Sequence, residues 1–375
     1  MKTTIPAFIA TMLTIALAIT TAQADQFSEL YDVGSAGSLH EAAGAFVPVF
    51  DENGFRSQET VFLLNGGYPP ELDAEPMDDV WILDGEFWHH MTTSAPAMAG
   101  HTLIAAADGR AYALGGVAAG DWLQPLSTIT TFEVRRIHGG LDVVVETIQV
   151  PGVSPESCFG ATAVAIDGGR SLLSVGGRCL GNPLATDPSQ LWEYRIDLNR
   201  WSRRADLPLD TSDHSAVVAR DFVWVFGGDG SQGLSNEIHR YDVLTDSWTQ
   251  VGVTGDRPGA RRDHGAIVAR NTMLIFGGIE EPFFPETMDD VWQLDLDTLG
   301  WTEVTSLPGG LASMAIAVVP SRMRASPAVE ALIYGGVTDA WSFPLDLSNS
   351  TLIYTSDVRV PMGYVEGPQT VSAIQ

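Results

Sequence analysis

Two stretches of fifteen residues, HSAVVARDFVWVFGG (214–228) and HGAIVARNTMLIFGG (264–278), contain the pattern that decides the fold. Each starts with a histidine, alternates small and apolar residues as a half-buried strand does, and ends with an apolar strand and a glycine pair. Comparable glycine pairs begin at positions 66, 115, 176, 227, 277 and 335. The intervals of 49, 61, 51, 50 and 58 residues match the length of four short strands with their turns.

An aromatic strand that ends in an acid follows most of the glycine pairs, as in Trp81–Asp84 and Trp292–Asp295. A second tryptophan comes next, at Trp88, Trp201, Trp248 and Trp301. This order of apolar strand, glycine pair, aromatic strand and tryptophan resembles the kelch-repeat family, here of a bacterial, exported type. The resemblance implies an all-β fold, a six-bladed kelch-type β-propeller with four antiparallel strands per blade. A ring of such sheets leaves only short, protected edges.

The N-terminus has the pattern of a secretory signal. Lys2 precedes an apolar stretch from Ile5 to Ile19, and an Ala-x-Ala sequence at 22–24 precedes Asp25. The sequence predicts a signal peptide over 1–24 and a single propeller domain over 25–375. No later stretch reaches the roughly 18–20 apolar residues of a membrane span. We therefore expect a periplasmic or secreted monomer with no membrane span.

The chain is strongly acidic, with 20 Lys and Arg against 47 Asp and Glu and a formal charge of −27. Proteins bind phosphate backbones by neutralising them with Lys and Arg, so nucleic acid is excluded as a partner. The acidic surface favours solubility, cationic partners or divalent ions. It is equally typical of a protein from a salty habitat.

The resemblance also implies where a ligand binds. In a propeller blade, strands A to D run from the axis outward, so the B–C and D–A loops open on one face, which we name the loop face. The B–C loops are long and acidic here, and binding sites are typical of long loops on a rigid scaffold. The residues expected to bind a protein or carbohydrate ligand on this face are His101, His214, His264, Arg261, Arg262, Glu280 and Glu281.

The candidate residues leave several interpretations open. The three histidines hold equivalent positions before their glycine pairs, so they are expected to point together towards the axis. Converging imidazoles could bind a transition metal, yet a histidine here resembles a structural residue of the kelch pattern. The acid clusters could bind calcium, but two lie within a repeated Met-Asp-Asp-Val-Trp (77–81 and 288–292). Arg261 and Arg262 could hold a carboxylate bidentately or pair with the acidic surface. We expect no metal and no cofactor.

Enzyme signatures are missing from the sequence. It has no Gly-x-Ser-x-Gly elbow, no His-Glu-x-x-His helix and no phosphate-binding glycine loop. Galactose oxidases share the propeller but need a cysteine cross-linked to a tyrosine, and neither cysteine has that setting. We therefore predict a binding or interaction module without catalytic residues. The alternative is a carbohydrate-processing propeller enzyme resembling N-acetylneuraminate epimerase, which would concentrate paired Glu and Arg in a deep axial pocket.

Register arguments give two further predictions. Around a two-residue turn at Gly168–Gly169, facing residues have numbers that sum to 337, so Cys158 faces Cys179 and the two are predicted to form a disulfide. Phe27 precedes His40 by the 13 residues that separate Trp88 from His101. The strand around Phe27 is therefore predicted to be the outer strand of the last blade, with 351–356 as the competing segment.

Overall fold

A computed structural model describes residues 25–29, 39, 41–69, 74–85, 87–118, 121–125, 128–155, 158–179, 189–280, 286–320, 329–339, 346–347 and 351–356. The predicted signal segment 1–24 lies outside these residues. Within them the regular secondary structure is almost entirely β-strand, and the helical elements are single 3-10 turns at Asp167–Gly169 and Ile196–Leu198. None of the described helices is long and apolar enough to cross a membrane. The predicted all-β class is confirmed.

The first strands build two four-stranded antiparallel meanders. In chain order they are β1 (Asp25–Glu29), β2 (Ala43–Phe50), β3 (Arg56–Asn65), β4 (Val80–Asp84), β5 (Phe87–Met91), β6 (Met98–Ala105), β7 (Ala111–Ala118), β8 (Asp121–Pro125), β9 (Ile129–Ile137) and β10 (Gly140–Ile148). The meanders β2-β3-β4-β5 and β6-β7-β9-β10 belong to one nine-stranded sheet, because β2 also pairs in parallel with β9 and β8 adds to β7.

The middle of the chain folds into three separate four-stranded sheets and two short ribbons. The strands are β11 (Cys158–Phe159), β12 (Thr162–Ile166), β13 (Ser171–Val175), β14 (Arg178–Cys179), β15 (Leu191–Arg195), β16 (Arg200–Arg203), β17 (Ser215–Ala219), β18 (Phe222–Phe226), β19 (Asp229–Gly230), β20 (Gly233–Leu234), β21 (Ile238–Asp242), β22 (Ser247–Val251), β23 (Gly265–Ala269), β24 (Thr272–Phe276), β25 (Asp290–Asp295) and β26 (Trp301–Ser306). The sheets are β12-β13-β15-β16, β17-β18-β21-β22 and β23-β24-β25-β26, and the ribbons are β11-β14 and β19-β20.

The last sheet combines both ends of the described chain. The remaining strands are β27 (Ala315–Val318), β28 (Val329–Tyr334), β29 (Val337–Asp339), β30 (Asp346–Leu347) and β31 (Thr351–Ser356). The sheet order is β27-β28-β31-β1, and Phe27 of β1 faces Tyr354 of β31. The prediction that the Phe27 strand lies outermost is confirmed, and the competing segment is the third strand of the same sheet.

The first strand of each meander lies innermost and next to the first strand of its neighbours. The contacts run from β2 through β6, β12, β17 and β23 to β27, and β27 returns to β2. This cyclic arrangement of antiparallel meanders is a β-propeller.

Aromatic side chains fill the wedges between neighbouring sheets. Trp88 of β5 stacks on Tyr334 of β28 with ring centroids 4.7 Å apart, and Trp301 of β26 lies 5.4 Å from Phe226 of β18. All four side chains are buried. Burying an aromatic side chain contributes roughly 1.5–3 kcal/mol, so these contacts hold the sheets in the ring.

Candidate functional site

The loop face carries the loops that enter the innermost strands. The strands of each meander alternate in direction, so the segments after β3, β13, β18 and β24 open at the same end as those before β6, β17 and β23. Tight turns such as Asp51–Phe55 and Arg220–Asp221 lie at the opposite end. The candidate residues that the structure describes all belong to the loop end of their sheets.

A series of main-chain hydrogen bonds links the innermost strands at their loop-face ends. At the start of each innermost strand, or two residues before it, one residue has a left-handed backbone, with φ between 53° and 63°. These residues, which we name the axial ring, are Glu41, Gly100, Gly160, Asp213, Asp263 and Ser313.

Hydrogen bonds connect the axial ring from residue to residue. The N–H of Asp263 donates to the carbonyl of Asp213 over 2.9 Å, and Ser313 donates to Asp263 over 2.8 Å. The same bond joins Asp213 to Gly160 (2.8 Å), Glu41 to Ser313 (3.2 Å) and Gly100 to Glu41 (3.1 Å). The left-handed conformation costs an L-residue about 1–2 kcal/mol, which glycine avoids. The hydrogen bonds of the ring offset that cost at the other positions.

Three carboxylates of the ring form the axial carboxylate cluster: Glu41, Asp213 and Asp263. These three residues are half-buried, and the side chain of Asp263 is 11 % exposed. Burial, followed by the charge of Asp213, raises the pKa of Glu41 to about 7, although Arg262 acts in the opposite direction.

The two aspartates of the cluster are perturbed in the same direction. Burial raises the pKa of Asp213, against the lowering effects of a hydrogen bond from Ser212 and the charge of Arg262. Burial and the charge of Asp213 raise the pKa of Asp263 well above its usual range. Burial is the main cause of all three shifts, and the charges of neighbouring acids add to each, which indicates that these carboxyl groups lie close together on the axis.

A second set of residues lies next to the axial ring. The residue after a glycine pair lies opposite the residue before the axial ring, as Asp229 does with Ser212 and Ile279 does with Arg262. Arg178 occupies the same place in its repeat, opposite Phe159. Its Nη2 lies 3.6 Å from Oδ2 of Asp229. The guanidinium of Arg262 donates to the carboxylate of Asp263. Arg178 and Arg262 are therefore each paired with an acid of this chain.

The predicted histidines lie between sheets. His101, His214 and His264 are buried. A Cβ placed on Gly66 would be 3.1 Å from Cε1 of His101, and Gly176 and Gly227 have the same relation to His214 and His264 at 2.7 and 2.9 Å. Each imidazole thus packs on the first glycine of the preceding repeat.

Burial keeps these histidines neutral. It lowers the pKa of His101 to about 3 and that of His214 to about 4, and it lowers the pKa of His264 well below its usual value. Nε2 of His264 lies 2.8 Å from Oγ of Ser215 in the neighbouring sheet. Among the described residues, no group of three or more His, Cys, Asp or Glu is placed to hold a metal ion.

Arg261 and Arg262 have different surroundings. The buried guanidinium of Arg261 donates to Asp290 from Nη1 (2.6 Å) and Nη2 (2.8 Å), and to the carbonyl of Gly277 (2.9 Å). Asp290 also accepts a hydrogen bond from Nε1 of Trp292 over 2.7 Å. Asp290, the second aspartate of Met-Asp-Asp-Val-Trp, therefore has a structural role, and its ion pair holds Arg261 inside the fold.

Glu280 and Glu281 lie in the loop after β24. The carboxylate of Glu280 covers Gly259, where a Cβ would fall 1.4 Å from Oε1. Glu281 lies outside the residues that the structure describes, as does His40. Of the predicted residues, Arg262 is the one that the structure brings to the axial carboxylate cluster.

The sequence analysis missed Glu41, Asp213 and Asp263. A signal was present, because an aspartate precedes the repeated histidine at both 213 and 263. Its meaning depends on the left-handed backbone of the ring, which the sequence alone does not reveal.

The two cysteines face each other at the loop end of the third repeat. Cys158 of β11 is opposite Cys179 of β14, in register with the pairs of β12 and β13. Gly168 (φ 62°, ψ 28°) and Gly169 (φ 84°) form the predicted primed turn. The predicted register is confirmed.

Comparison with known proteins finds similarity to kelch-repeat proteins. Residues 142–324 match the model of the KLHDC2/KLHL20/DRC7 Kelch-repeats domain. The chain is 39 % identical over 74 residues to Beta-scruin of Limulus polyphemus, covering 20 % of this chain and 8 % of that protein. It is 23 % identical over 341 residues to Acyl-CoA-binding domain-containing protein 4 of Arabidopsis thaliana, covering 84 % and 47 %. It is 34 % identical over 104 residues to F-box/kelch-repeat protein At1g67480 of the same plant, covering 28 % and 27 %. The chain spans less than half the length of each of these relatives.

Proposed function

We propose that this chain is a kelch-repeat protein-interaction module whose six-bladed propeller binds its partner on the loop face. The blade count is supported by the axial ring, to which each four-stranded meander contributes one residue. It is supported further by the innermost strands, which follow one another in a closed cycle.

The axial carboxylate cluster is the observation that carries the proposed binding face. The loops that follow two of the glycine pairs also carry exposed acids on this face: Glu75, Asp78, Glu286 and Asp289. Arg178 and Arg262, which lie next to the cluster, are already paired. A partner that presents Lys or Arg would meet complementary charge here, which speeds association and selects against acidic competitors.

The same pairing makes a carbohydrate-processing enzyme the weaker alternative. An axial pocket for an acidic sugar needs a guanidinium that is available to the substrate. Arg261 is committed to Asp290, and Arg262 to Asp263. We therefore favour a binding module over a catalytic one.

Export of the chain through the segment 1–24, with a disulfide between Cys158 and Cys179, is part of the same proposal. An oxidising compartment would allow the facing cysteines to pair.

Site-specific photo-crosslinking tests the binding face. A photoreactive residue at Gln232 or Glu286 reports on the loop face, and one at Asn53 or Leu244 reports on the opposite face. The protein is expressed in its source cells, and crosslinked species are identified by mass spectrometry. We expect the same partner from both loop-face positions and none from the controls. Crosslinking of one partner only through Asn53 or Leu244 would contradict the proposal.

A further inference from the structure

The ring of innermost strands closes between segments that are far apart in the sequence. At this seam β27 lies next to β2, and Glu41 directly precedes β2. The N–H of Glu41 donates to the carbonyl of Ser313 over 3.2 Å, and the N–H of Gly336 donates to the carbonyl of Leu39 over 2.8 Å. The backbone of Glu41 therefore joins the two sides of the seam.

Glu41 also connects the seam to the next sheet. Its carbonyl accepts a hydrogen bond of 3.1 Å from the N–H of Gly100, the third residue of β6. The residue holds a left-handed backbone with φ 56°. Because an L-residue resists this conformation, Glu41 keeps it only while the surrounding contacts are intact. A change in its side chain acts directly on those contacts.

Among the described residues, most of the charged groups that act on the Glu41 side chain are negative. The acids are Asp213 before β17 and Asp263 before β23, and the cation is Arg262. Tyr68 after β3 responds to Glu41 in turn, since burial and then the charge of Glu41 raise the pKa of its hydroxyl to about 12. Asp229 and Arg178 act on the cluster through Asp213. The other ring members, Gly100, Gly160 and Ser313, carry no charge.

We propose that Glu41 is a proton-operated latch on the seam of the propeller. With its carboxyl group protonated, the repulsion from Asp213 and Asp263 is absent and the hydrogen bonds of the axial ring hold β2 against β27. With its carboxyl group ionised, that repulsion loosens the seam. The opening of the seam then depends on pH, whereas the opening of strand pairs away from the seam does not.

The direction of the effect follows from proton linkage. The pKa of Glu41 is raised from 4.5 to about 7 in the folded state. A group with a raised folded pKa gives stability that is fully present below its unfolded value and is lost as the pH rises through the folded value. The seam is therefore tightest near pH 4.5 and weakens up to about pH 7, above which the effect levels off.

Hydrogen exchange with mass spectrometry on the full chain tests the latch. The readout is the protection of peptides that contain the amides of Glu41 and Gly336, corrected for the intrinsic exchange rate, between pH 5 and pH 8. We expect the opening equilibrium to rise about tenfold or more between pH 5 and pH 7.5. A peptide from β17–β18 serves as the internal reference and should show a smaller change.

Three variants separate a latch from a merely structural residue. Glu41→Gln should remove most of the pH dependence, while Asp213→Asn should move its midpoint to lower pH because a neighbouring negative charge is lost. Glu52→Gln, at an exposed acid on the opposite face, should behave like wild type. Seam protection that is independent of pH in the wild type would overturn the proposal. An unshifted midpoint in Asp213→Asn would also overturn it, and this test stands even if Glu41→Gln fails to fold.

Discussion

Gly228 shows why the repeat needs its glycine pair. Its φ of +96° belongs to the left-handed region, and a Cβ there would lie 2.0 Å from Oγ1 of Thr211 and 2.7 Å from the carbonyl of Ser212. Backbone from the loop that enters the sheet thus packs directly on the glycine. Gly233 has a similar φ of +91° but nothing within 4 Å of such a Cβ. Substitution of Gly233 therefore measures the cost of the left-handed backbone alone, and substitution of Gly228 adds the cost of a steric contact.

We expect Gly228→Ala to lower the free energy of unfolding by about 2–4 kcal/mol, because it adds overpacking to an unfavourable backbone conformation. Gly233→Ala should cost only about 1 kcal/mol, from the conformation alone. Urea denaturation of both variants measures the difference. Equal losses would show that close packing does not explain the glycine pair.

Arg261 is the second residue whose role can be measured. Its side chain is 1 % exposed and pairs bidentately with Asp290. Arg261→Ala leaves the carboxylate of Asp290 buried without its cation, which costs about 3–5 kcal/mol. Arg257→Ala, at an exposed arginine of the same loop, should change the stability by less than about 0.5 kcal/mol. If the two variants unfold at the same urea concentration, the buried ion pair does not stabilise the fold.

At the scale of strands, the sequence predicts what repeats and misses what does not. Glycine pairs and tryptophans recur at fixed places, so they revealed the meanders and the outermost position of β1. The parallel pairing of β2 with β9 occurs in a single repeat, and a ribbon directly after the glycine pair occurs in two, as β19-β20 and β29-β30. The axial carboxylate cluster was hidden for a different reason. Aspartate before a strand is typical of many turns, and only the closed ring gives Asp213 and Asp263 a shared position.

The ribbon β11-β14 gives a prediction for the cysteines. The register places Cys158 directly opposite Cys179, so we expect a disulfide that closes a loop of about 20 residues and contributes roughly 3 kcal/mol. Mass spectrometry of the exported protein, alkylated without reduction, measures it. Cys158→Ser with Cys179→Ser should lower the melting temperature as much as reduction of the wild type does. Two alkylated thiols in the native protein would contradict the prediction.

At the scale of the whole molecule, the propeller brings residues that are far apart in the sequence together at its axis. Glu41, Asp213 and Asp263 come from three widely separated repeats, yet they lie in one ring because each precedes an innermost strand. The net charge of −27 shows that the chain is acidic, and the fold concentrates part of that acidity on the axis of the loop face. This arrangement is the basis of the proposed interaction with a cationic protein surface.

Affinity for the crosslinked partner, measured with matched charge variants, tests this account most directly. Asp78→Asn with Asp289→Asn removes two exposed acids of the loop face, and Glu52→Gln with Asp221→Asn removes two from the opposite face. We predict that the loop-face pair raises the Kd about tenfold, with a weaker salt dependence, while the opposite-face pair leaves it unchanged. A Kd that rises with the opposite-face pair and not with the loop-face pair would contradict the account.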